Sequence, residues 1–213
     1  MDLWIPPLLA VAGLGAGWFA APLTERYCGE LSVGRRYAVA LVTAMVFAVL
    51  AWRLGTTALL AAYLYLGAVG TVLTFVDIAV KRLPDPFTLP SYVVGPVLLA
   101  AAAPFTADGW PRLAYALVGM AFLWLVYGLQ HFLLPNAIGR GDVKLAGVLG
   151  LYLGWFGQST WFIGLLLGFV FGGLAAVGLL LTCRASRKTE IPFGPYMMAG
   201  ALVAILAHPG VTL

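Results

Sequence analysis

Residues 56–77 read TTALLAAYLYLGAVGTVLTFVD. No charge interrupts this run until Asp77 closes it, and its length matches the roughly 20 apolar residues that carry an α-helix across the hydrocarbon core of a bilayer. Comparable runs between charges recur over about residues 3–21, 37–52, 88–105, 112–134, 143–157, 159–183 and 193–208. Together they predict an all-α, polytopic integral membrane bundle of about eight transmembrane helices. The sixth and eighth runs are short for a full crossing.

Composition agrees with that reading. The 213 residues are 62% hydrophobic and only 9% charged, whereas a soluble domain carries roughly 25% charged residues. Eight spans of about 20 residues would use about 160 and leave about 50 for every loop, so a sizeable soluble domain is excluded and residues 1–213 are expected to form one unit. The net charge of +4 comes from twelve Lys and Arg scattered singly or in pairs between apolar runs. They read as membrane-orienting charges, which makes the lipid bilayer the expected partner and nucleic acid an unexpected one. Cys28 and Cys183 stand far apart with no CxxC pair, so neither a zinc site nor a disulfide framework is expected, and no cofactor is called for. The start, Met1-Asp2-Leu3-Trp4, lacks the basic segment of a cleaved signal peptide, and the first apolar run is expected to stay as an anchor.

The connections are short and polar, because unsatisfied backbone in hydrocarbon costs several kcal/mol per group. Pro84, Pro86 and Pro90 break the chain after the third run, and Pro135 follows the fifth. Positive charge sets the orientation. Arg26, Arg35, Arg36, Lys81, Arg82, Arg140, Lys144, Arg184, Arg187 and Lys188, ten of the twelve basic residues, fall after odd-numbered runs, against Arg53 and Arg112 on the other side. The positive-inside rule makes the richer side cytoplasmic and turns both termini outward. Gly150 and Gly154, and Gly164, Gly168 and Gly172, recur every four residues and are expected to let helices pack closely.

Of the eight acidic residues, Asp2, Glu25, Glu30, Asp108 and Glu190 read as solvated loop charges, leaving Asp77, Asp85 and Asp142 on the cytoplasmic side. A carboxylate at the membrane boundary, such as Asp77, is costly unless partnered or wetted, which makes it a functional candidate. The plain alternative is an interfacial charge paired with Lys81 at i+4. Asp142 stands in Gly139-Arg140-Gly141-Asp142 just before the sixth run. The glycines permit unusual torsions and close approach, and a carboxylate at a helix start is favoured by the dipole. Here the alternative is a helix cap with a flexible turn. Two carboxylates converging at one interface are what aspartyl proteolysis requires, one ionised to take a proton from water and one protonated to donate to the peptide carbonyl. Their proximity is not given by the sequence.

Residues 77–85, DIAVKRLPD, followed by Thr88-Leu89-Pro90, resemble the first aspartate motif of type IV prepilin peptidases. Residues 139–145, GRGDVKL, resemble their GxGD motif, which presenilin-like and preflagellin peptidases share. Residues 191–196, IPFGPY, are similar to a third stretch of that family. The resemblance spans about residues 70–200. It implies that Asp77 and Asp142 are catalytic aspartates of a GxGD-type intramembrane peptidase, with Gly139, Gly141, Lys144 and Asp85 as supporting residues of the motifs. It also implies a prepilin or pseudopilin substrate that loses a short basic leader at the cytoplasmic face of the bacterial inner membrane, in the service of a type IV pilus or a secretion system. Many bacterial members carry a loop with two CxxC pairs after the first helix and also N-methylate the new terminus. Here that loop, residues 22–36, holds Cys28 alone.

Read from its position, Asp85 is a turn residue that contacts substrate or solvent. Lys144 is expected to snorkel to headgroups, with tuning of the acid pair second. His131 reads as a packing residue. Two rival functions remain at this point: a proton-coupled transporter, which calls for ionisable groups near the bilayer midplane, and a noncatalytic membrane factor for pilus or secretion assembly.

Overall fold

A computed structural model describes residues 4–134, 138–182 and 191–208. Among these residues the secondary structure is helical, without a strand: α1 Ile5–Cys28, α2 Val33–Leu54, α3 Leu60–Val80, α4 Asp85–Ala102, α5 Gly109–Leu133, α6 Arg140–Gly154, α7 Gln158–Leu181 and α8 Gly194–Ala207. Each expected run is a helix. Six of them, α1 to α5 and α7, are long and apolar enough to cross a membrane, and the chain is a multi-pass helical membrane bundle. Helix α6 has 15 residues and α8 has 14, so each is about 22 Å long against a hydrocarbon core of about 30 Å.

The shortness of α6 is explained by what surrounds it. Every residue from Leu145 to Gly154 is buried, and α4, α5, α7 and α8 pack around the helix. Its apolar length therefore meets protein rather than lipid, and a helix enclosed in this way need not match the bilayer thickness. Helix α3 occupies the corresponding place in the other half, against α1, α2, α4 and α8. Only α4 and α8 appear in both sets of neighbours, so they join the two halves.

Small residues set the closest approaches, as the glycine spacing predicted. A Cβ added at Gly119 of α5 would lie 2.5 Å from the carbonyl oxygen of Gly150, and one at Gly154 would lie 2.9 Å from Ala116 Cα. In α8, a Cβ at Gly200 would fall 2.9 Å from the carbonyl oxygen of Gly164 in α7. Backbones this close gain van der Waals contact that larger side chains would prevent.

Two expected boundaries change. The connection over residues 22–36 contracts to a turn over residues 29–32, because α1 continues through Pro22 to Cys28 and α2 starts at Val33. Polar residues at the end of α1 make the turn instead of solvating a loop. The Glu25 carboxylate accepts from Arg36 Nε at 2.7 Å and from the Leu31 amide at 3.3 Å, and Gly29, at φ 74°, closes the helix. Glu25 is thus an ion-paired helix residue. The second change is α4, which starts at Asp85 on an extended Pro84 and takes Pro86 into its first turn, where the missing N–H has no helical partner to lose. Pro90 lies inside α4 and does not break it.

Helix polarity alternates along the chain. Arg36 meets Glu25 and Lys144 meets Asp85 at one end of the bundle, while Arg53 donates to the carbonyl of Leu206 at the other. Seven of the ten basic residues assigned to one side thereby share an end. The other three, Arg184, Arg187 and Lys188, lie outside the described residues, as do Asp2, Pro135, Cys183 and Glu190.

Candidate active site

The last turn of α3 carries Asp77, which is 4% exposed. Its Oδ2 accepts the backbone N–H of Gly194, the first residue of α8, at 3.0 Å. A free N–H at a helix start, with the dipole behind it, is a natural partner for an anionic oxygen. A Cβ at this spot would stand 2.9 Å from Asp77 Oδ2 and 3.3 Å from Leu83 Cδ2, so it would have to displace the carboxylate. Lys81 does not form the alternative ion pair. It ends α3 in the left-handed region at φ 54°, with its amide donating to the Asp77 carbonyl at 2.8 Å, and no ion pair between Lys81 and Asp77 is found among the described residues.

Asp142 is the third residue of α6. Its Oδ2 accepts from the amide of Gly139, the N-cap, at 3.1 Å, which is the carboxylate half of a capping box. Unusual torsions are not what the two glycines provide: Gly139 has φ −73°, and Gly141 is not among the residues with positive φ. What they provide is closeness. A Cβ at Gly141 would lie 2.9 Å from Leu83 Cβ, and one at Gly139 would lie 3.2 Å from Asp142 Oδ2.

Leu83, in the short connection between α3 and α4, therefore touches the starts of both α6 and α8. It draws together the end of α3 with Asp77, the start of α6 with Asp142, and the start of α8 with Gly194. Asp142 precedes the apolar part of α6, at the boundary of the bundle, where burial raises its carboxyl to about 6; the Gly139 N–H opposes the rise and the negative charge of Asp77 adds to it. The two acids thus lie within electrostatic reach.

The supporting residues are placed differently from expectation. Asp85 is the first residue of α4 rather than a turn residue, and its Oδ1 lies 2.6 Å from Lys144 Nζ. Lys144 is thus engaged with a carboxylate of another helix instead of reaching free to headgroups. The Tyr92 hydroxyl, two turns into α4, donates to the Lys144 carbonyl at 2.7 Å, so α4 grips the first turns of α6 twice. His131 Nδ1 lies 2.7 Å from the Ile138 carbonyl, in keeping with a satisfied packing residue. Gly194 and Leu83 received no role from the sequence. Each lies within a motif-like stretch, Leu83 in residues 77–85 and Gly194 in residues 191–196, and membership of the stretch was the only signal either carried. No three His, Cys, Asp or Glu side chains converge as metal ligands among the described residues.

Residues 64–177 match the type IV leader peptidase family, a segment that contains both aspartates and the pair Asp85 and Lys144. The chain belongs to that family. It is similar to the prepilin leader peptidase/N-methyltransferase of Aeromonas hydrophila, 32% identical over 185 residues, covering 86% of this chain and 62% of that protein. It also resembles the proteins of the same description from Pseudomonas aeruginosa, 31% identical over 83% of this chain and 60% of the relative, and from Bacillus subtilis, 29% identical over 84% and 68%. The chain thus spans about three fifths of the length of the first relatives it matches. No solved structure matches it. Gly194 lies beyond the family-matched segment, yet it supplies the amide that holds Asp77.

Proposed function

We propose that this protein is an aspartyl endopeptidase that removes a short basic leader from prepilin-like or pseudopilin-like proteins, with Asp77 and Asp142 as its catalytic pair. The observation that carries this reading is the gathering of the two acids around Leu83 at one end of the bundle, each on the enclosed helix of its half and each held by a helix-start amide. Two nearby carboxyls share a proton, because ionising the second against the charge of the first is costly. Their titration belongs to the pair.

In the once-protonated pair, the ionised carboxylate takes a proton from water as the water oxygen bonds to the scissile carbonyl carbon. The protonated carboxyl gives its hydrogen to the carbonyl oxygen. Collapse of the tetrahedral intermediate then returns one hydroxyl proton to the carboxylate that had donated its hydrogen and breaks the C–N bond, while the departing amine takes up the proton first taken from water. This route passes through no covalent enzyme intermediate.

The surroundings suit a substrate with a polar leader followed by an apolar helix. A groove of about 260 Å³ runs between α2, α3 and α8. One end is formed by Thr74, one turn before Asp77, and Pro195, next to Gly194; Val46, Leu66 and Met198 line its length. An apolar segment seated there would lead its polar continuation to Asp77. The concentration of basic residues at the same end supports a site facing the cytoplasm of the bacterial inner membrane, with both termini outside.

The test is incubation of the purified protein with a prepilin peptide, reading the masses of both fragments. The expected result is one cut between leader and apolar segment, lost in D77N and in D142N while both variants remain folded. Binding without cleavage by the unaltered protein would instead favour a noncatalytic assembly role, and the fragment mass would also register any added methyl group.

A further inference from the structure

On the side of α6 turned toward α5 lies a depression of about 560 Å³ that the acid pair does not use. Trp124, Gly128, His131 and Phe132 of α5 form one wall, and Arg140 and Lys144 of α6 form the other. Gly128 and Val143 approach at its base, where a Cβ on the glycine would make ordinary contact at 3.8 Å.

Arg140 and Lys144 are four residues apart on one helix and project to the same side. Asp142, between them, is rotated by about 200° and faces away. Lys144 is engaged with Asp85 at 2.6 Å, whereas no ion pair is found for Arg140 among the described residues. Next to these cations the surface is apolar: Phe132 is 81% exposed, and Leu125, Leu129 and Trp124 are exposed beside it. Two cations above an exposed aromatic and aliphatic strip match a ligand that is anionic at one end and apolar along the rest. A free anion would gain nothing from the strip, a neutral lipid would gain little from the cations, and a basic leader would be repelled.

We infer that this depression binds the headgroup of an anionic phospholipid, with its phosphate between Arg140 and Lys144 and its acyl chains along Trp124, Phe132 and Leu129. Pockets of this composition between helices at the basic side of a membrane protein suit such headgroups. The inference rests on the bundle lying in a bilayer and not on the proposed peptidase activity, so the two readings fail separately.

The experiment releases the intact protein from nanodiscs of mixed phosphatidylglycerol and phosphatidylcholine and counts retained lipids by native mass spectrometry. The unaltered protein is expected to retain phosphatidylglycerol about tenfold over its share in the disc. R140Q is expected to reduce the preference to about twofold, and R26Q, which removes an exposed charge from the same end outside the depression, to leave it intact. Inorganic phosphate at millimolar concentration is expected not to displace the lipid. Equal retention of the two lipids, an unchanged preference in R140Q, an equal loss in R26Q or displacement by phosphate each overturns the inference. Should R140Q not fold, the unaltered protein decides the matter through Trp124 fluorescence, read as the difference from W124F. Stronger quenching by brominated phosphatidylglycerol than by brominated phosphatidylcholine supports the site, and equal quenching overturns it.

Discussion

Asp77 and Gly194 are separated by 117 positions in the chain, yet the amide of one donates to the carboxylate of the other at 3.0 Å. The bond fixes where α8 begins relative to the end of α3, and it occupies one lone pair of a buried acid.

The first prediction follows from the space at that contact. In G194A the new Cβ would lie 2.9 Å from Asp77 Oδ2, tighter than carbon and oxygen tolerate, so the carboxylate must shift. Leader cleavage should fall at least about tenfold, because small displacements of a catalytic group are expensive, while helical content stays the same. Full activity in G194A would show that this amide does not position Asp77.

Replacing either acid should remove the proton transfers altogether. D77N and D142N are each expected to lower cleavage by at least about a hundredfold, the lower end of what general acid–base catalysis supplies. The double variant should be no worse than the poorer single one. Substantial cleavage by either purified single variant would take that residue out of the catalytic pair.

The pH dependence has a definite sign. Asp142 is raised to about 6 by burial, so the once-protonated pair becomes scarce as pH rises past about 6. The profile of kcat/KM should bend downward on that side. A profile flat from pH 5 to 8 would contradict this assignment.

Stability should respond as well. The Asp142 carboxyl titrates at about 6 in the folded protein, against an ordinary value of 3.8. A raised carboxyl pKa means that the fold favours the protonated form, so its contribution is complete below about 3.8 and is lost as pH rises through about 6. D142N, which keeps an oxygen for the Gly139 amide but cannot ionise, should be more stable in detergent at pH 7.5 by on the order of 2 kcal/mol. The two proteins should converge near pH 4. Equal unfolding midpoints at both pH values would count against a half-buried, ionising Asp142.

The pair Asp85 and Lys144 is partly exposed, and its direct contribution to stability should be at most about 1 kcal/mol. Its effect should appear in catalysis, because Lys144 lies on the same turn as Asp142. K144M is expected to reduce kcat several-fold, and the exchange D85K with K144D to recover part of the loss. A shift confined to thermal stability would reduce the pair to a structural tie.

The transmembrane architecture was legible because charge-free runs as long as the bilayer is thick have few other uses. The turn between α1 and α2 is shorter than composition predicts because the signal fades where a helix leaves the hydrocarbon. Thr24, Glu25 and Arg26 resemble a loop in composition, but they are helical, and Glu25 supplies the partner for both Arg36 and Leu31. The candidate acids were legible from their motifs. The partners of the site were not, since Asp85 and Lys144 meet across 59 positions and Gly194 acts through a backbone amide that no side chain advertises. The glycines around Asp142 suggested backbone freedom, whereas Leu83 explains at least one of them by occupying the volume that a methyl group would need.

The tight seam between Gly119, Gly150 and Gly154 has an effect at a distance. Helix α6 is a rod seated on those glycines at the end away from Asp142 and held by α4 near the acid, so its seating at the seam bears on where the acid stands. Widening the seam by one methyl group would displace the rod, and the error would be carried along it to Asp142.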